Sequence, residues 1–276
     1  MRGLTAISAA AASSALAPVQ AQTASGAPQP TLSILRLDCG SIDIANLADF
    51  SDTGRYEGQS KTLVASCYLI RNGDRYLLWD TGLDGALAGR PKNAEGSFRR
   101  ERIASQLSRI DLKPSDITFV GISHYHYDHT GQVAEFPNAT LLIGKADWEA
   151  IKVRPSTAAR FARWLTGGGK VEPVAGDKDL FGDGRVRILA MPGHTEGHQA
   201  LLVRLATGPV LISGDQYHFT ENRRVGGVPS FNVSRADTLA SHDRFEKLAA
   251  NLGARVIIQH EPADVAKLPP FPRAAR

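Results

Sequence analysis

Hydrophobic and polar positions follow two rhythms along this chain, and the change from one to the other marks its elements. TLSILRL (31–37) and the paired runs of SCYLIRNGDRYLLWD (66–80) are β-rich, and Asn72-Gly73 between the latter pair is a strong hairpin signal. Residues 43–61 are polar and irregular, too long for a tight turn, and predict a functional loop. The spacing of Ile103, Leu107 and Ile110 predicts a helix over 97–112, ended by Pro114. DITFVGIS (116–123) is a continuous apolar run of the kind buried on both faces of a sheet, and ATLLIG (139–144) is another strand. KADWEAIKV (145–153) and TAARFARWL (157–165) predict helices, the second closed by Gly167-Gly168-Gly169. Three closely spaced strands follow in VRILAMPG, QALLVRL and PVLISGD (186–215). A helix over 234–252, through Leu239, Phe245, Leu248 and Leu252, and a last strand in ARVIIQH (254–260) complete the pattern.

The order is β-rich, then α/β, then β-rich, then α/β. It predicts two sheets packed face to face with helices outside, a four-layer α/β sandwich in one domain over 31–276. At 276 residues the chain can bury one sizeable core, and 42% apolar with 22% charged residues is a globular rather than a disordered composition. The formal charge of +4 comes from 32 basic against 28 acidic residues without a basic block, which argues against nucleic acid as a partner.

Two features bear on location. The first 21 residues carry one charge, Arg2, then an apolar Ala/Leu/Ile stretch and small residues at Val19 and Ala21. That is the form of a secretory signal peptide cleaved after Ala21, with 22–30 as a linker, and it predicts a periplasmic or secreted protein. No later run reaches the length of a membrane span. In an oxidising compartment Cys39 and Cys67 can form a bridge; the alternative is two separate buried thiols.

The chemistry concentrates in SHYHYDHTG (123–131). His124 and His126 lie two apart at a strand end, so both imidazoles can reach one ion, while Asp128 and His129 turn the other way and can hold a second. Imidazole with carboxylate suits Zn²⁺, with Fe, Mn or Co as alternatives. Three further metal-capable residues follow predicted strands: His194 in MPGHTEGH, Asp215 in LISGD and His260 in VIIQHEP. His198 reads as a hydrogen-bonded structural residue and His242 as a surface residue of the helix, which leaves His218 open.

This set resembles the metallo-β-lactamase superfamily, whose signature is H-x-H-x-D-H followed by a distant His, Asp and His. The resemblance implies an αββα sandwich. By it His124, His126 and His194 would hold one metal, Asp128, His129 and His260 the other, and Asp215 would bridge two Zn²⁺ ions. WDTG (79–82) looks like a further motif of the family, with Asp80 holding a ligand histidine. Two ions sharing a water make hydrolysis the natural chemistry, with hydroxide attacking and Asp128 carrying the proton to the leaving alkoxide.

Within the superfamily the chain is most similar to the quorum-quenching N-acyl-homoserine lactonases, through LDCGSI, the polar loop before SCYLI, PGHTEGHQALLV and a short tail ending LPPFP. Those lactonases commonly carry a Tyr three residues after the bridging Asp. Here that position is His218, preceded by Tyr217, and either could donate to the carbonyl oxygen. The resemblance implies a small-molecule lactone as substrate, with a homodimer compatible with the chain. The alternatives are an exported organophosphate triester hydrolase of the same superfamily and, with a single iron, a persulfide dioxygenase.

Overall fold

The computed structural model describes Gly3 and residues 30–276. The signal peptide and most of the linker expected before Pro30 lie outside the described residues. Among the described residues twelve strands form two sheets, and the chain builds them one after the other. The first contains β1 (Leu32–Ile44), β2 (Lys61–Asn72), β3 (Arg75–Trp79), β4 (Ser97–Phe98), β5 (Phe119–Gly121), β6 (Thr140–Gly144) and β7 (Val171–Val174), in the order β4-β1-β2-β3-β5-β6-β7. The second contains β8 (Lys178–Asp179), β9 (Val186–Ala190), β10 (Gln199–Leu205), β11 (Gly208–Ile212) and β12 (Arg255–Ile257), in the order β12-β11-β10-β9-β8.

Strand alternation decides which side chains face which layer. On β3, Leu77 and Trp79 enter the core between the sheets, while Leu78 points to the outer core under the helices. On β10, Leu201, Val203 and Leu205 face inward, and Ala200 and Leu202 pack outward with Phe245 of the helix Arg235–Leu252. This is the αββα sandwich that the pattern predicts. The hairpin at Asn72-Gly73 is present, with Gly73 in the left-handed conformation the turn needs. The helix Arg235–Leu252 starts where the Ser234 side chain caps the Asp237 N–H and ends at left-handed Gly253.

Some local expectations are corrected. The helix expected over 97–112 is only Ile103–Ser108, because Ser97 and Phe98 pair with Ile42 and Ser41 of β1 instead. The buried Arg99 guanidinium holds that arrangement, donating to the carbonyls of Cys39, Leu83 and Glu101. The helix then ends before Pro114, with Asp111 in the left-handed region. The expected strand 116–123 pairs only over Phe119–Gly121, and the expected helix 157–165 is a series of short turns between Pro155 and Leu165. Cys39 and Cys67 are joined in a disulfide linking β1 to β2.

Candidate metal centre

Strands β3 and β5 are parallel neighbours in the first sheet, and β11 and β12 are parallel neighbours in the second. The segments following their carboxyl ends carry Asp80, residues 123–130, Asp215 and His260, and the turn after β9 adds His194. Crevices beyond the carboxyl ends of parallel strands are where α/β sheets place their chemistry. His126 is the last extended residue before a single helical turn, Tyr127–Thr130. That turn directs Asp128 and His129 towards His260, although the His129 ring stays beside that of His124, with centroids 4.2 Å apart.

The seven residues fall into two groups. His124, His126, His194 and Asp215 form one, and Asp128, His129 and His260 the other. His194 Nε2 lies 3.1 Å from His124 Nε2 and 3.0 Å from His126 Nδ1. His129 Nε2 lies 3.1 Å from His260 Nε2. Asp215 stands between the groups. Its Oδ1 is 2.9 Å from His260 Nε2 and 3.1 Å from His129 Nε2, and its Oδ2 is 3.4 Å from His194 Nε2 and 3.5 Å from His124 Nε2. Asp128 Oδ2 is 3.5 Å from His260 Nε2.

The outer nitrogens of these rings are already engaged. His129 Nδ1 donates to Asp80 Oδ2 (2.8 Å), His260 Nδ1 to the Val64 carbonyl (2.7 Å) and His194 Nδ1 to Asn232 Oδ1 (2.8 Å). A neutral imidazole that donates from one nitrogen presents a lone pair at the other. The Nε2 lone pairs of His194, His129 and His260 are therefore directed inward, at contact distance from other imidazole nitrogens. The buried Asp215 Oδ1 accepts no conventional hydrogen bond. Converging lone pairs around a buried carboxylate repel one another unless positive charge lies among them, so this donor set fits a pair of divalent cations.

Electrostatics divides the two groups. Burial, reinforced by the surrounding imidazoles, holds His124 and His194 well below the usual histidine range, and burial lowers His126 to about 4. These rings are neutral, the form that ligates a metal. Burial opposes charge on His129 and His260 as well, but Asp215, aided by Asp80 and Asp128 at His129 and by Asp128 at His260, outweighs it and raises both. Asp215 is held well below the carboxylate range despite its burial, by His260, His129 and His124. The second group thus attracts positive charge, whether a proton or a metal ion supplies it.

Around this centre stands a scaffold. Asp80, fully buried and in the left-handed region (φ 58°), accepts from the Ser123 N–H and hydroxyl, His129 Nδ1 and Gln259 Nε2. Asp147, raised by burial to about 7, accepts from Thr195 Oγ1 and the Gly197 N–H and so pins the turn that carries His194. His198 is a structural residue: Nδ1 bonds the Met191 carbonyl and Nε2 accepts the Asp215 N–H.

His218 joins the cluster. Its Nε2 lies 3.2 Å from Asp215 Oδ2, its ring is parallel to that of His260, and Phe50 and Phe231 meet it edge-on. Tyr217 does not join it. The strand-like backbone at Tyr217 turns its ring the opposite way, stacked on His242 and packed against Phe245, which corrects its expected place beside the carbonyl. His242 is likewise buried rather than on the surface, its Nε2 donating to the Gln216 carbonyl. Asn232 and Ser123 were not legible as site residues. Asn232 belongs to no spacing pattern, and Ser123 is signalled only by its place at the strand end before His124.

Residues 61–260 match the family model of the Metallo-beta-lactamase superfamily. An N-acyl homoserine lactonase (AttM) of Azorhizobium caulinodans is 31% identical over 178 residues, a match covering 59% of this chain and 65% of that protein's length. The AttM lactonase of Rhizobium johnstonii is 28% identical over 221 residues, covering 71% of this chain and 81% of that relative. Among solved structures, a quorum-quenching N-acyl homoserine lactone hydrolase superposes with a TM-score of 0.77 at 21% identity, over 90% of this chain and 100% of that one. AidC, a dizinc quorum-quenching lactonase, superposes with a TM-score of 0.67 at 20% identity, over 90% and 91% of the two chains. At these identities the structural likeness establishes the fold.

Proposed function

The chain belongs to the metallo-β-lactamase superfamily as a metal-dependent hydrolase, and we propose that the bond it cleaves is the ring ester of N-acyl-homoserine lactones at a two-zinc centre. The observation that carries this reading is the Asp215 carboxylate set between two histidine groups, in a chain whose curated relatives are named as lactonases. His124, His126 and His194 would hold one ion and Asp128, His129 and His260 the other, with Asp215 shared. Ions held there would supply an acidified water and polarise the ester carbonyl.

The protein's own groups do the rest. Asp128 is the more accessible carboxylate of the set, its side chain 12% exposed against 4% for Asp215. It is therefore placed to hold the proton of the attacking water and pass it to the leaving alkoxide. His218, beside Asp215 Oδ2, donates to the former carbonyl oxygen as charge develops there. Phe231 and Val233 are partly exposed near His194, an apolar surface suited to an acyl chain. Export from the cytoplasm is part of the same proposal, supported by the Cys39–Cys67 bridge.

A substrate panel with the zinc-loaded protein tests the assignment: acyl-homoserine lactones, a paraoxon-type triester, a cephalosporin and a glutathione thioester. The lactones should give the highest kcat/KM, read as proton release on ring opening. A higher value for the triester would transfer the assignment to phosphotriester hydrolysis.

A further inference from the structure

Gln259 lies just after β12, immediately before His260, and its amide is fully buried. A primary amide offers two donors and an acceptor oxygen with two lone pairs, and here all are used. Nε2 donates to Asp80 Oδ2 at 2.9 Å and to the Ser66 carbonyl at 3.3 Å. Oε1 accepts the Gly214 N–H at 3.0 Å and Trp79 Nε1–H at 3.2 Å. The backbone carbonyl of Gln259 also accepts the Ser66 hydroxyl at 2.6 Å.

These contacts converge on one half of the centre. Asp80 carries His129 by the bond to Nδ1, Gly214 is the residue before Asp215, and His260 is the next residue after Gln259 itself. Gly214 is itself closely packed. It is in the left-handed conformation (φ 55°), and a Cβ there would lie 2.6 Å from His198 Nε2. One side chain thus spans strands of both sheets and sets the mutual placement of His129, His260 and the Asp215 oxygen that faces them. Towards the other half the network is thinner: Asp80 also accepts from the Ser123 hydroxyl, which lies 3.1 Å from His124 Nδ1, and no polar contact of Gln259 reaches His126 or His194.

We infer that Gln259 is a positioning residue that selectively pre-forms the Asp128–His129–His260 half of the centre. The inference rests on the two-ion reading given above. Partners of this kind, acting through a ligand, typically change metal affinity by about 10–100-fold.

The test is a Zn²⁺ titration of metal-free protein against a chromophoric chelator, giving two stepwise constants. His260→Ala identifies the step that belongs to this half by abolishing it. Gln259→Met keeps the side-chain length without hydrogen bonds, and Gln259→Asn keeps an amide too short to span Asp80 and Gly214. Should one variant fail to fold, the other carries the measurement. Each should weaken the step lost in His260→Ala by about 10–100-fold and leave the other within about twofold. Ile257→Val trims the inter-sheet core on the same strand without touching the network. It should lower the melting temperature while leaving both constants unchanged. Equal weakening of both steps, or no weakening of either, would show that Gln259 only stabilises the fold. If the wild-type protein takes up a single ion, the two-ion reading fails and the inference falls with it. Two ions in the wild type with unaltered constants in the variants overturns the inference alone.

Discussion

Replacing Asp80 by Asn separates the charge of this carboxylate from its shape. Asn tolerates the left-handed backbone at position 80 about as well as Asp, so the backbone contributes little to the change. Oδ2 accepts from the Ser123 hydroxyl, His129 Nδ1 and Gln259 Nε2, and Oδ1 accepts the Ser123 N–H. With the amide oxygen at the Oδ2 position, three bonds remain but lose charge assistance, at about 1 kcal/mol each. The amide NH₂ then faces the Ser123 N–H, two donors with no acceptor between them, at a cost of about 1–3 kcal/mol. The flipped amide fares worse, since three donors would then face the NH₂. The total is about 4–6 kcal/mol, a large part of the ~5–15 kcal/mol stability of a typical domain. Urea unfolding of the metal-free protein reads this directly. At an m-value of about 3 kcal/mol/M the midpoint should fall by about 1.3–2 M. A midpoint within about 0.3 M of wild type would refute the reasoning, because it would mean that the four donors find other acceptors without cost.

Elemental analysis should give about two ions per chain; Asp215→Ala should then remove most hydrolase activity, and a stoichiometry near one that added metal cannot raise would refute the paired centre. His218→Ala should lower kcat by up to about 10²–10³ with metal content intact, as loss of an oxyanion donor does. Tyr217→Phe should leave kcat unchanged, since the Tyr217 ring packs against His242 and Phe245; an unaltered kcat in His218→Ala would remove the donor role. Serine at both Cys39 and Cys67 opens a bridge with a sequence separation of 28, and loop-closure entropy puts the loss at about 3–4 kcal/mol, measured by denaturant unfolding with and without reductant. Protein recovered from outside the cytoplasm should begin at Gln22; intact Met1 on cytosolic protein would reject export.

The layers were legible because alternation and helical spacing are local properties. Leu77, Leu78 and Trp79 sort into the two cores by position along a single strand. The metal-capable residues were legible because five histidines and two aspartates follow strand ends, where few folds need them for packing. What escaped depends on contacts distant in sequence. Arg99 reads as helical with its neighbours, but its guanidinium is spent on the carbonyls of Cys39 and Leu83, residues far earlier in the chain. His242 reads as solvent-facing because its helix is polar there, yet it is covered by Tyr217. Gln259 has no signature at all, since a buried amide is recognisable only from the partners it finds.

The two sheets are consecutive halves of the chain, meeting at the exposed stretch Ala175-Gly176-Asp177 between β7 and β8. Each histidine group takes members from both halves: His124 and His126 with His194 and Asp215, and Asp128 and His129 with His260. Neither half possesses a complete donor set, so the centre is a joint property of two pieces that happen to share a backbone. Apolar surfaces pressed together tolerate small sliding, whereas a polar constellation this tight accepts a single alignment. The catalytic crevice is thereby also the latch of the sandwich. A chain cut at Gly176 should yield fragments that bind zinc only weakly apart and recover native affinity only when they dock in the native alignment.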